Sequence, residues 1–151
     1  MPRLILDSGA VTFLAGRTPE SVAVMRRLRH EGVWPPLIPS VVLVECFTGH
    51  PARDVGVDRF PPARTPRTEV PKELARRAAA LRTKAIAAMT RSDRKAPPSA
   101  VDALVVAYAE AEGPAFVLTG DGKDLRPLAA EARGVQVEML AQAVEKSRGH
   151  R

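Results

Sequence analysis

Phe116-Val117-Leu118-Thr119-Gly120-Asp121 decides the fold. A short apolar run ends abruptly at Gly-Asp-Gly, as a buried strand ends at a turn. Leu4-Ile5-Leu6-Asp7, near the start of the chain, has the same build. Between the two lie stretches of helical period. Strands alternating with helices imply an α/β domain with a mainly parallel sheet. In such sheets ligands bind beyond the carboxyl ends of the strands. Asp7 and Asp121 both stand at carboxyl ends, which places two acids at one rim.

Working outward, residues 3–6 read as a buried strand, and Ser8-Gly9-Ala10 as a turn into a helical stretch through Ala15. Thr18 or Ser21 can cap a second helix with Val22, Met25 and Leu28 on its apolar face. Val33–Ile38 is a short strand broken by Pro35-Pro36. Ser40 and Gly49 bracket a helix over Val41–Thr48, although its β-branched run suits a strand nearly as well. Residues 50–69 are rich in Pro and Arg and read as a loop holding one short helix or strand. Pro71 opens an amphipathic helix with Leu74, Ala78, Leu81, Ala85 and Met89 as its stripe. A basic loop runs from Arg91 to Pro98. Ser99 caps a helix to about Ala111 that is apolar almost all round, so it should be central. Leu125–Arg133 is a short helix and Val135–Met139 a last strand. One domain over 1–141 is expected, with 142–151 a polar, frayed tail.

Four acids end or open apolar elements: Asp7, Glu45, Asp102 and Asp121. Each has an ordinary explanation. Asp7 suits a helix N-cap, Asp102 a capping box with Ser99, Asp121 a turn, and Glu45 a solvated face. A carboxylate beside a buried element is costly unless it is capped, paired or bound to a metal. Four of them on separate elements of one small fold suggest that they meet. Converging carboxylates hold a hard divalent cation, Mg²⁺ or Mn²⁺. Asp124 reads as the cap of the following helix.

The bulk properties agree with a single globular domain of 151 residues, 45% apolar. No apolar run nears the roughly 20 residues of a membrane span. The chain start runs straight into the first strand, without the h-region of a signal peptide. A single cysteine, Cys46, excludes a disulfide framework and fits a reducing, cytoplasmic setting. With no His near it, Cys46 reads as a small core residue. The three His lack zinc spacing. Net charge is +6, from 23 Lys and Arg against 17 acids. Sequestering four acids leaves the remaining surface more basic still, which favours a polyanionic partner. Gly122-Lys123 lacks the frame of a phosphate loop, and no Gly-x-Ser-x-Gly elbow exists.

With those residues in view, the chain resembles PIN-domain ribonucleases of the VapC kind, the toxins of bacterial type II toxin–antitoxin pairs. The matching pieces are Leu-Ile-Leu-Asp7-Ser-Gly-Ala, Pro-Ser-Val-Val-Leu-Val-Glu45, Ser-Ala-Val-Asp102-Ala-Leu-Val-Val-Ala and Val-Leu-Thr-Gly-Asp121-Gly-Lys-Asp-Leu. They span residues 3 to about 140, in the family's order. The family's four acids fall on Asp7, Glu45, Asp102 and Asp121. Gly120 stands where the family often has Ser, and residues 50–69 match poorly. The resemblance implies an α/β/α sandwich, Mg²⁺ or Mn²⁺, endonucleolytic cleavage of RNA, a homodimer, and a cognate antitoxin that blocks the site.

In that chemistry the metal orients the scissile phosphate and makes a bound water more acidic. Asp7, Asp102 and Asp121 would be ligands, directly or through water, and Glu45 would hold metal through water or orient the attacking water. Arg77, Lys84, Arg91, Arg94 and Lys95 are candidate phosphate contacts. One alternative is a non-catalytic PIN-like module that binds RNA or protein; its sign would be a missing acid, and none is missing. A haloacid-dehalogenase-like phosphotransferase is the other. It needs a second Asp two residues after the first, where Gly9 stands.

Overall fold

The computed structural model describes residues 1–60, 66–67 and 69–149. In it β1 (Arg3–Leu6) pairs in parallel with β4 (Ala115–Thr119), and β4 pairs in parallel with β5 (Val135–Met139). On the other side of β1 lies β2 (Ile38–Pro39), which pairs in parallel with β3 (Pro66–Arg67). A single parallel bridge, Ile5 to Leu37, joins that ribbon to β1. Leu37 donates to the Leu4 carbonyl at 2.8 Å, and Leu6 donates to the Leu37 carbonyl at 3.1 Å. The chain leaves β1 for β2 on one side and returns to β4 on the other. The carboxyl end of β1 is therefore a topological switch point.

Parallel neighbours need crossover connections, and helices supply them. They are α1 (Ser8–Ala15), α2 (Pro19–His30), α3 (Ser40–Cys46), α4 (Pro51–Asp58), α5 (Lys72–Ala88), α6 (Ala100–Ala111), α7 (Gly122–Glu131) and α8 (Leu140–Arg148). A 3₁₀ turn covers Asp93–Lys95. The result is an α/β/α sandwich built on an all-parallel three-stranded sheet. The core runs through Leu4–Leu6, Val117 and Leu118 of the sheet, Leu14 of α1 and Leu81 of α5. As its composition implies, α6 is central, with Ala103 and Val105–Ala109 buried. Among the described residues, no helix is long and apolar enough to cross a membrane.

Several local expectations shift. Thr18, not Ser21, caps α2, accepting from the Ser21 N–H at 3.1 Å. The buried stripe of α2 is Ser21, Val24, Arg27 and Leu28, while Val22 is 38% exposed. A one-sided count of apolar residues misses this because Arg27 goes inside. Ser40 does not cap α3; Pro39 holds that position, since β2 feeds directly into the helix. The helix stops at Cys46, short of Thr48. The reason is Asp54, whose carboxylate takes the N–H groups of Thr48 at 2.9 Å and Gly49 at 3.0 Å. The short element expected within 50–69 is α4, with β3 following it; residues 61–65 and 68 lie outside the described residues. The strand expected over Val33–Ile38 shortens to Ile38–Pro39, after a cis Trp34–Pro35 bond.

The polar tail is also corrected. Residues 142–148 belong to α8, whose Ala143 and Ser147 are buried as it packs along α2; His150 and Arg151 lie outside the described residues. Its polar composition hides a second burial, of charge. The Arg27 side chain is 3% exposed. It donates to Glu31 at 2.7 Å and to Glu138 of β5 at 3.5 Å, and Glu138 accepts again from Lys146 of α8 at 2.7 Å. Helix, strand and tail are thus joined through one carboxylate. Leu28→Ala should cost about 2–5 kcal/mol, and Val22→Ala no more than about 0.5 kcal/mol. Urea denaturation of the two variants checks this; equal losses would return Val22 to the buried stripe.

Candidate active site

Two loops leave the sheet at its carboxyl rim, one after β1 and one after β4. Asp7 is the first residue beyond β1 and caps α1, taking the Ala10 N–H on Oδ1 at 2.9 Å. Its other oxygen accepts from the hydroxyl of Thr119, the last residue of β4. That same hydroxyl accepts the Asp121 N–H at 3.0 Å. Asp121 caps α7, its carboxylate taking the Lys123 N–H at 3.0 Å. Gly9 and Gly120 face each other where the loops meet, with just van der Waals room for a Cβ on Gly9, 3.4 Å from the Gly120 nitrogen.

Asp102 enters from α6. The capping box expected from Ser-x-x-Asp is present: Ser99 Oγ accepts the Asp102 N–H at 3.1 Å, and Asp102 Oδ2 accepts from the Ser99 N–H at 3.3 Å. Glu45 enters from the last turn of α3 and is exposed. Val44 beside it is 79% exposed, so Glu45 stands on a solvated face. Capping therefore explains where Asp7, Asp102 and Asp121 point, but explains nothing about Glu45.

These acids lie within electrostatic reach of one another. Burial pushes the Asp7 pKa above its ordinary value; the bonds from Thr119 and Ala10 oppose this, and the charges of Asp102 and Glu45 add to the rise. Asp124 lies in the first turn of α7 and caps nothing. Burial raises its pKa, and the charges of Asp102 and Asp121 raise it further, against a lowering by Lys123. Asp102 thus links the Asp7 side of the rim to the Asp121 side. Asp124 is a fifth member, contrary to its expected role as a cap. The available signal was its i, i+3 spacing from Asp121 at a helix start, which puts both carboxylates at one end. Cys46 is buried as expected, its thiol pointing at the Ser8 carbonyl at 3.5 Å, and burial pushes its pKa up. It stays a thiol at neutral pH.

Among the described residues, no three His, Cys, Asp or Glu side chains stand close enough to grip one ion together. The donors at this rim are carboxylate oxygens carried by separate loops. Mg²⁺ commonly keeps several waters and takes one or two carboxylates directly, so an open, oxygen-only rim suits it better than a softer metal.

The candidate phosphate contacts divide. Arg77 is not free: its guanidinium makes a two-pronged bond to Glu110 at 2.6 and 2.9 Å, which holds the Glu110 carboxyl below its usual range. Arg94 is spent on the Ile86 and Ala87 carbonyls, at 3.1 and 2.9 Å, closing the end of α5. Lys84, Arg91 and Lys95 are exposed and form no ion pair among the described residues. Arg91 and Lys95 stand in the segment that leads into Ser99 and the first turn of α6. No protein-family model matches this chain, and no curated protein matches it.

A raised carboxyl pKa means that the native state holds its proton more tightly than the unfolded chain does. Stability then falls as pH climbs from the ordinary value of 3.8 through the native one, and levels off above it. Among the described residues the Asp124 carboxylate accepts no hydrogen bond, so Asp124→Asn removes this loss at the expense of only the Lys123 attraction. Metal-free Asp124→Asn should melt above the parent at pH 7 and together with it below pH 3.8. Melts in EDTA across that range test this, and a variant less stable at pH 7 would make Asp124 a structural residue.

Proposed function

We propose that the chain is a Mg²⁺- or Mn²⁺-dependent endoribonuclease of the PIN type, acting as the toxin of a VapBC-like pair. The observation that carries the reading is the meeting of acids from four elements at the carboxyl rim of β1 and β4, with Asp7 feeling both Asp102 and Glu45. Caps alone would be served as well by Ser, Thr or Asn. The motifs Leu-Ile-Leu-Asp7, Leu-Val-Glu45, Ala-Val-Asp102 and Leu-Thr-Gly-Asp121 support the same reading. An RNA substrate fits the basic balance of the remaining surface. The homodimer and the blocking antitoxin belong to this proposal and follow from the resemblance alone.

Asp7, Asp102 and Asp121 would hold the metal, directly or through water, and Glu45 would orient water at the open edge. When bound, the metal supplies a more acidic water and charge for the scissile phosphate. The residues do the rest. Thr119 and Ala10 fix the rotamer of Asp7, and Ser99 fixes that of Asp102. With Arg94 spent on the end of α5, Arg91 and Lys95 are the remaining cations of the segment before Asp102 and would hold the RNA backbone.

Purified protein, free of any partner, should cut mixed RNA with Mg²⁺ or Mn²⁺ and stop in EDTA, and Asp7→Asn should abolish cutting. Cleavage that survives EDTA or Asp7→Asn would falsify the assignment. RNA affinity should also fall with salt, by a log–log slope of roughly 0.7 for each phosphate contact on a single strand. Replacing Arg91 and Lys95 by Ala should flatten that slope by roughly 1.4. Arg77→Ala should leave the slope alone and cost roughly 1–3 kcal/mol of stability. A slope that follows Arg77 instead would place the RNA face on α5.

A further inference from the structure

We propose that Arg126 is a substrate-positioning residue of this site: its guanidinium, laid back over Gly122 at the start of α7, takes a phosphate of the RNA backbone on the opposite flank of the acids from Arg91 and Lys95. The proposal rests on the ribonuclease reading above. Arg126 stands alone between Leu125 and Pro127, outside the basic runs of the chain. A helical side chain leans toward the N-terminus of its own helix, so residue 126 lies over residue 122. That residue is a buried glycine. A Cβ on Gly122 would stand 3.3 Å from Arg126 Nε and 2.7 Å from Met139 Sδ. The missing side chain is thus the cradle in which the Arg126 stem lies, against the last residue of β5. It carries the guanidinium to the first turn of α7, beside the Asp121 loop at the carboxyl rim.

The guanidinium has nothing to hold there. Arg126 is exposed, and among the described residues it forms no side-chain hydrogen bond or ion pair. Arg27, Arg77, Arg82 and Arg94, by contrast, are fixed on carboxylates or carbonyls. A cation at a helix N-terminus also faces the unfavourable end of the dipole, so the helix itself does not favour it there. Lys123, in the same turn, already acts on Asp124, whose carboxyl it lowers. Arg126 lies roughly half a turn round the helix from Asp124, and Asp124 is on the side that feels Asp102. The cations before α6 and Arg126 therefore flank the carboxylates on two sides. A strand whose scissile phosphate lies among the acids offers a neighbouring phosphate to each flank. A planar guanidinium can take such a phosphate with two parallel bonds.

The test uses random-sequence single-stranded RNA labelled with fluorescein, and the full chain. Parent, Arg126→Ala, Arg126→Lys and Arg17→Ala are compared; Arg17 is an exposed arginine beyond the far end of α1. In EDTA, anisotropy titrations over a range of salt should give Arg126→Ala a log–log slope flatter by roughly 0.7, with lysine restoring it and Arg17→Ala leaving it alone. With Mg²⁺, Arg126→Ala should raise KM about tenfold and leave kcat unchanged, as loss of a binding contact away from the reacting phosphate does. Where the acids keep RNA off in the absence of metal, KM decides alone. A slope and KM that Arg126→Ala does not move, or that Arg17→Ala moves equally, overturn the proposal. So does a fall in kcat at constant KM. Mn²⁺ binding, followed by electron paramagnetic resonance, should be the same in parent and Arg126→Ala; a variant that loses the ion gives Arg126 a role in holding the Asp121 loop and overturns the proposal as well. A parent that neither binds nor cuts RNA overturns instead the ribonuclease reading beneath it.

Discussion

The parallel register of β1 against β4 governs the rest of the molecule. Leu6 lies opposite Leu118, so Asp7 and Thr119 are the next residues along each strand. The Asp7 N–H still reaches the Leu118 carbonyl at 3.3 Å, while its side chain leaves the sheet. A carboxylate placed there loses much of its water, and burial without partners would cost several kcal/mol. The fold answers with donors from two sources. One is the N-terminus of α1, whose free N–H groups and dipole favour negative charge. The other is the hydroxyl across the register. The solution repeats at the same rim, where Asp121 sits at the start of α7 and Asp102 at the start of α6. Capping and a functional site are therefore not rival explanations. The bonds that cap each helix also aim each carboxylate, and each carboxylate keeps lone-pair capacity on at least one oxygen.

Capping cannot account for the charge itself. A helix start is satisfied by a neutral hydroxyl or amide about as well as by Asp, and neutral caps would not repel one another. Here burial and the charges of Asp102 and Glu45 together raise Asp7, and the charges of Asp102 and Asp121 add to the rise of Asp124. Asp124 is the clearest member, since among the described residues its carboxylate caps nothing and accepts no hydrogen bond. Like-charge crowding of this kind is a cost to the metal-free fold, and perturbed groups gather where chemistry needs them.

What the sequence made legible follows from what is local. The strands at 3–6 and 135–139 and the helix after Ser99 announce themselves through apolar runs ended by Gly, Asp or a cap. The positions of Asp7 and Asp121 follow from the rule for parallel sheets, and the capping box at Ser99 from its spacing. Asp124 escaped because a residue three places into a helix looks like any first-turn acid until α6 is laid beside it. Arg27 escaped because its burial depends on Glu138, more than a hundred residues away. The same pairing recruits Lys146 and turns an apparently polar tail into α8. Glu45 stands beside a Val44 that is 79% exposed, and only the reach of its charge to Asp7 ties it to the rim.

Arginine behaves similarly across the molecule. A count of 23 basic residues suggests a broad surface for a polyanion, yet Arg27, Arg77 and Arg94 are spent on Glu31 and Glu138, on Glu110, and on the end of α5. Planar guanidinium groups are well made for such fixed bonds. The cations left over near the rim are fewer, and Arg91 and Lys95 sit on the segment before α6. Five carboxylates at that rim repel any phosphate that approaches. On the ribonuclease reading, Arg91 and Lys95 draw the backbone in from outside, but they cannot neutralise acids they do not touch. Only a cation seated among the carboxylates can reverse the sign of the field at the point of cleavage. The basic segment and the metal therefore answer two separate electrostatic problems, one of arrival and one of contact. Loss of the first should be felt in binding and its salt dependence, and loss of the second in cleavage.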